Sequence, residues 1–204
     1  VETIDAMKVR RSIRQFKPDP VPDELVNELL EAARLAPSGV NCQPWRFVVV
    51  KSAEGKEKLS GATPLPFVTE APLVLVCCID LEAAGAEQTY KRAKELLDSG
   101  AFQGTPLENF DPEAYANRRQ MDETAAKNYL TLNAAIAIEH IALRAADLGL
   151  GTCWVMMMDA KKIKTALELE GNLRVVALMP VGYPKTLPPA RPRLPLEDIL
   201  VKEI

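Results

Sequence analysis

Apolar residues recur along this chain in two rhythms, and the switches between them mark its elements. Leu25, Leu29, Ala32 and Ala36 fall at helical spacing behind Pro22, Asp23 and Glu24. A helix is therefore expected over 22–36, ended by Pro37, Ser38 and Gly39. A shorter helix is expected over 3–11, before Pro18, Pro20 and Pro22 break the pattern. Residues 45–51 and 73–79 are short, β-branched and apolar, and read as buried strands, with a short helix at 53–61 and a Pro-punctuated stretch at 62–72 between them. Positions 123–148 carry Ala, Leu and Ile around most of a helical circumference, the mark of a helix buried from several sides, and Gly149 supplies its stop. Residues 153–158 and 173–181 read as two further strands, with a helix at 160–169 between them.

Four strands separated by helical connections imply a three-layer α/β/α sandwich, and the alternation taken alone favours a parallel sheet. Two stretches depart from this core. Residues 81–125 turn polar and irregular, with helix-like pieces at 83–98 and 111–122 around a segment holding Phe102, Gly104, Pro106 and Phe110. This excursion is either a cavity cover, with Phe102, Phe110 and Tyr115 as adjustable stacking surface, or a solvated insertion. After Gly182, Pro184, Pro188, Pro189, Pro192 and Pro195 rule out a long helix, so 184–204 reads as an extended arm of the kind that packs on a partner subunit.

Composition narrows the function classes. With 204 residues, 48% apolar and 26% charged, the chain has the balance of a folded protein and is expected to form a single domain over 1–204. A net charge of −3 offers no overall attraction to nucleic acid or to an anionic membrane, so any anion site must be a local cluster. The opening VETIDAMKVRRSIRQF has no apolar signal-like core, and no stretch reaches the ~20 apolar residues that span a bilayer. Cys42, Cys77, Cys78 and Cys153 show no CxxC pairing and read as reduced packing residues, which points to a cytoplasmic setting. With His140 as the one histidine, a His-rich zinc site or a Ser-His-Asp triad has little material. Its place in the central helix suits a hydrogen-bonded packing role.

The candidate chemistry lies in three segments. Arg10, Arg11 and Arg14 surround Ser12 near one end, and Arg191 and Arg193 sit near the other. Converging guanidiniums meet a phosphate monoester bidentately, and a serine hydroxyl fills a remaining acceptor site. Solvated surface charge is the competing reading. Pro37 to Trp45 (PSGVNCQPW) is a polar helix-to-strand loop able to offer amides and hydroxyls to a heterocycle edge, or else an ordinary turn. Gly149 to Val155 (GLGTCWV) is neither a dinucleotide fingerprint nor a Walker loop, though its small residues allow close backbone approach to a flat ring.

Taken in order, RRSIRQF, PSGVNCQPW, LGLGTCW, VGYP and RPRLPLEDI resemble the FMN-dependent nitroreductase family over nearly the whole chain. The resemblance implies an α+β sandwich with a mostly antiparallel sheet, intertwined as a homodimer with FMN bound at the interface. It also implies that Arg10, Arg11, Ser12 and Arg14 hold the phosphate and ribityl region with Arg191 and Arg193, while Pro37, Ser38 and Asn41, from the other subunit, border the isoalloxazine. Met156 and Met157 stand where family members often have glycine, so their flavin contacts would run through backbone. Their side chains, with that of Met158, are expected to fill core on alternating strand faces. The implied activity is hydride transfer from NADH or NADPH, through the flavin and without a catalytic side chain, to a small nitroaromatic, quinone, flavin or activated alkene. Reductive dehalogenation and flavin destruction are alternatives within the resemblance, and a non-catalytic flavin-binding or regulatory protein is the alternative outside it.

Overall fold

The computed structural model describes residues 2–204. Four strands, β1 (Trp45–Val50), β2 (Leu73–Asp80), β3 (Gly151–Thr152) and β4 (Leu173–Gly182), form one sheet in the order β1-β2-β4-β3. Every pairing is antiparallel. Alternation of helices and strands alone had favoured a parallel sheet. That inference fails because the connections carry each strand back along its neighbour in the opposite sense, and helix content does not fix strand direction.

β2 shows how the layers arise. Leu73, Leu75, Cys77 and Ile79 enter one core and Val74, Val76 and Cys78 the other, as period-2 side chains on a strand buried on both faces must. The first core is covered by α2 (Asp23–Arg34) and α7 (Glu123–Asp147). The second lies under α3 (Ala53–Ser60), α4 (Phe67–Glu70) and α8 (Ala160–Ala166), whose Leu59, Val68 and Ile163 are fully buried. A register shift between Cys77 and Cys78 brings Val176 and Ala177 to the same core. Pro180 is tolerated within β4 because Leu178 exchanges both backbone bonds with Val155, so the missing N–H two residues on points away from β2.

Most expected helices form with frayed ends trimmed: α1 covers Thr3–Val9 and α2 stops at Arg34. The excursion contains α5 (Ala86–Asp98) and α6 (Pro112–Arg118), shorter than expected, after a 3-10 turn at Leu81–Ala84. Asp111 caps α6, accepting from Glu113 and Ala114 N–H at 3.0 Å, which adds to the preference of Pro112 for a first-turn position. The third strand is a correction. It occupies Gly151–Thr152, with an isolated bridge at Val155, and leaves Met156 and Met157 outside the sheet with 71% and 62% exposure. They are not core filler; only Met158 packs against the second core. His140 does pack, its Nδ1 lying 3.2 Å from the Ala32 carbonyl and tying α7 to α2. The tail is extended apart from α9 (Leu196–Ile199).

Candidate functional site

The two distant ends of the chain meet beside β3. The Ile13 N–H donates to the Thr152 carbonyl at 2.9 Å, and Ser12 bridges Thr152 in the parallel sense. Farther along, Lys17 N–H donates to Tyr183 O at 2.8 Å and Lys185 N–H to Gln15 O at 2.9 Å. Residues 12–17 are thus stitched between β3 and the start of the arm. Gly151 makes this approach possible, since a Cβ there would lie 2.4 Å from Ile13 Cγ1. The glycine of the LGLGTCW segment makes room for Ile13, a packing role that sequence reading did not assign.

The result is a cleft of about 260 Å³ lined by Lys8, Arg10, Arg11 and Ser12 on one side and by Pro188, Pro189, Ala190, Arg191 and Arg193 on the other. It carries five cations and no carboxylate on its walls. Glu139 of α7 stands behind it, 3.3 Å from Arg10 Nε and accepting from Trp154 Nε1 at 3.0 Å, which orients the Arg10 fork. Arg11 donates to the Lys8 and Arg10 carbonyls, while its Nε is buried without an acceptor. An orphaned buried donor costs roughly 1–3 kcal/mol, which an anion in the cleft would recover. Arg14 is exposed and not part of the cleft wall. Its charge nevertheless reaches Cys153: burial pushes that thiol up, and Arg14, the Ser12 hydroxyl, Arg10 and Arg191 oppose the shift.

Pro37, Ser38 and Asn41 lie elsewhere. Their loop precedes β1 at Trp45, level with Ile79 of β2 and Arg174 of β4, whereas Thr152 is level with Val181 and Leu73. The two segments therefore flank diagonal corners of the sheet, roughly 14 Å apart across the strands and about 20 Å along them. Here the backbone is strained: Val40, Asn41 and Gln43 have φ of 53°, 52° and 42°. α7 holds it in place. Asn133 Oδ1 accepts from Gly39 N–H at 2.8 Å, the Tyr129 hydroxyl donates to Gly39 O at 3.1 Å, and Ser38 Oγ accepts from Gln43 N–H at 3.0 Å. A Cβ on Gly39 would fall 2.0 Å from the Tyr129 oxygen. Sequence reading singled out none of Asn133, Tyr129, Arg119 and Glu139; a polar amide amid the Ala-rich run of α7 was the one signal available for Asn133.

The excursion meets the same corner. α5 packs on the 3-10 turn Gly39–Asn41. Phe102, Phe110 and Tyr115 form a ladder with centroids 5.5 and 5.1 Å apart, and Arg119 stacks 4.1 Å from the Tyr129 ring centroid. Burial pushes the Cys42 thiol up against the opposing Ser38 hydroxyl, Tyr129 and Arg119. Met156 and Met157 line neither the cleft nor this loop's anchors. Among the described residues, no group of His, Cys, Asp and Glu is placed to hold a metal ion, and no helix is long and apolar enough to cross a membrane.

The family model "Nitroreductase family" matches residues 7–183. The chain is 35% identical over 196 residues to an NADH dehydrogenase of Thermus thermophilus, covering 94% of this chain and 91% of that one. It is 29% identical over 198 residues to an iodotyrosine deiodinase of Thermotoga neapolitana, covering 97% and 95%. A protein of Exiguobacterium sibiricum, designated a nitroreductase and crystallised in complex with FMN, superposes with a TM-score of 0.83 at 26% identity, covering 100% and 98%. The fold, the order of its motifs and these matches agree, and the chain belongs to the nitroreductase family.

Proposed function

We propose that this chain is an FMN-dependent NAD(P)H oxidoreductase acting on a small electrophilic acceptor, and that it works as a homodimer with the flavin held between copies. The observation that carries the reading is the cleft where both chain ends converge. It concentrates Lys8, Arg10, Arg11, Arg191 and Arg193 around Ser12, with one buried donor left unpaired, in a protein whose net charge is −3. A phosphate monoester fits this donor set. Arg10, Arg11, Ser12, Arg191 and Arg193 hold its oxygens and Arg14 adds long-range charge, each charge-assisted bond contributing roughly 1.5–3 kcal/mol.

Pro37, Ser38 and Asn41 lie too far across the sheet to share one ring with that cleft in a single copy, so a second copy supplies them. Apolar surface supports the pairing. Leu132 on α7 is 69% exposed, and Ile4, Met7, Leu194, Leu196 and Ile199 are also uncovered. An exposed leucine on the most buried helix is the expected footprint of a subunit contact. Met156 and Met157, which follow β3 outside the sheet, would face the ring through their backbone.

Bound FMN would supply the redox chemistry between NADH or NADPH and the acceptor. The chain orients both substrates. Its positive cleft fixes one end of the cofactor, the Gly39 loop shapes the other, and residues 81–125 cover the cavity and exclude water. Because donor and acceptor occupy that cavity in turn, initial rates are expected to follow parallel double-reciprocal lines, and intersecting lines would count against a shared site. The deciding test is the visible spectrum of the purified protein before and after anaerobic NADH, with released cofactor identified by mass. Flavin that is bound yet stays oxidised would redirect the assignment toward a binding protein. Iodide release from an iodinated phenol, without nitro or quinone reduction, would redirect it toward dehalogenation.

A further inference from the structure

Resting on the functional reading above, we propose that Arg119 recognises an anionic group on the acceptor, so that the preferred acceptor is a flat aromatic or quinonoid molecule carrying a carboxylate. Arg34, Arg46, Arg92, Arg144 and Arg174 each pair with an aspartate or glutamate. Arg119 is held differently. It is half-buried, donates to the Tyr115 hydroxyl at 2.7 Å and lies over the Tyr129 ring, and among its described contacts there is no carboxylate. A guanidinium has five N–H donors in a planar fork, and its bonds to the Tyr115 and Tyr129 hydroxyls leave the remaining donors for an oxyanion. Stacking fixes its plane in advance, so little freedom is lost when an oxyanion docks.

Its position points to the acceptor rather than to the cofactor's phosphate. Arg119 sits on Tyr129, whose hydroxyl donates to the Gly39 carbonyl in the loop that borders the ring. On its other side the ladder Phe102, Phe110 and Tyr115 offers aromatic surface ending at this cation. Aromatic surface with one fixed cation beside it selects a planar molecule with one negative end. The cleft cations Lys8, Arg10, Arg11, Arg191 and Arg193 lie with the other chain segment and already have an anion to hold.

The test uses flavin-loaded protein, with 4-nitrobenzoate and its methyl ester as acceptors and benzoate as a non-reducible probe. Benzoate is expected to compete with the acceptor, to perturb the visible spectrum of the oxidised flavin and to give a calorimetric Kd. Arg119→Gln should raise that Kd and the KM for 4-nitrobenzoate about tenfold while leaving the methyl ester within about twofold, and Arg119→Lys should recover part of the difference. A parallel change for acid and ester, or an unchanged benzoate Kd, overturns the proposal. If Arg119→Gln loses its flavin, wild-type protein decides the matter. Benzoate binding that weakens on raising salt to ~300 mM supports Arg119, and salt-independent binding overturns it. Reduction of the flavin by NADH involves no acceptor, so its failure would sink the functional reading, whereas reducible flavin without discrimination between acid and ester sinks this inference alone.

Discussion

The cleft beside β3 and the loop ahead of β1 are built by opposite means. The first gathers like charges on relaxed backbone, tied by main-chain bonds to β3 and the arm, and leaves a donor unpaired. The second carries no ionisable residue between Pro37 and Trp45 except Cys42, and bends its backbone into the left-handed region under side chains of α7. The difference teaches that one corner stores unspent electrostatic attraction and the other stores conformational strain. The first corner attracts an anion through its clustered cations, whereas the 37–45 loop itself offers a shape, and the cation stacked beside it, Arg119, comes from the excursion.

This contrast is broken most directly at the charged corner. Arg10→Ala combined with Arg193→Ala removes two charge-assisted contacts and is expected to weaken FMN binding by about two to four powers of ten, read by flavin fluorescence on adding apoprotein, with the melting temperature of the apoprotein little changed. Unaltered affinity would remove these residues from the anion site.

A smaller effect is expected at the strained corner, and there it should appear as stability. Gly39→Ala drives a methyl group into the Tyr129 hydroxyl, at a cost of about 1–3 kcal/mol, or roughly 2–4 °C in Tm per kcal/mol for a chain of this size. Tyr129→Phe removes the obstructing oxygen, so the double variant should recover part of the loss in a mutant cycle. Additive losses would mean the loop is not held by this contact.

The smallest effect separates the two corners through their thiols. Burial pushes both Cys42 and Cys153 up, but only Cys153 is opposed by Arg14, Arg10 and Arg191. An anion that neutralises those cations removes their support for the thiolate and raises the Cys153 pKa further. At fixed alkaline pH, inorganic phosphate or FMN should therefore slow alkylation of Cys153 a few-fold relative to Cys42, measured site by site by mass spectrometry. Equal slowing at both would argue against a local electrostatic cause.

Much of this was legible in residue order. Leu25, Leu29 and Ala36 marked α2, the β-branched run at 73–79 marked β2, and the clusters around Ser12 and at Arg191 and Arg193 are the cations that line one cleft. The misreadings share a cause. Met156 and Met157 look like strand residues because apolar pattern records preference for burial, yet β3 ends at Thr152 and the chain leaves the sheet. That the small residues of 149–155 give space was legible, but not that Ile13 fills it at Gly151, because glycine records only that space is needed.

The sequence by itself determined most of the helices and strands, the third strand excepted, because periodicity and turn chemistry act over a few residues. It also determined how many positive charges were available to meet an anion. The antiparallel sense of the sheet was implied by the family resemblance and not by the alternation of elements, and only the tertiary structure decided that residues 12–17 bind the arm and that Arg119 rests on Tyr129. These depend on contacts between residues far apart in the chain, which form when whole layers pack and leave no periodic trace in the sequence.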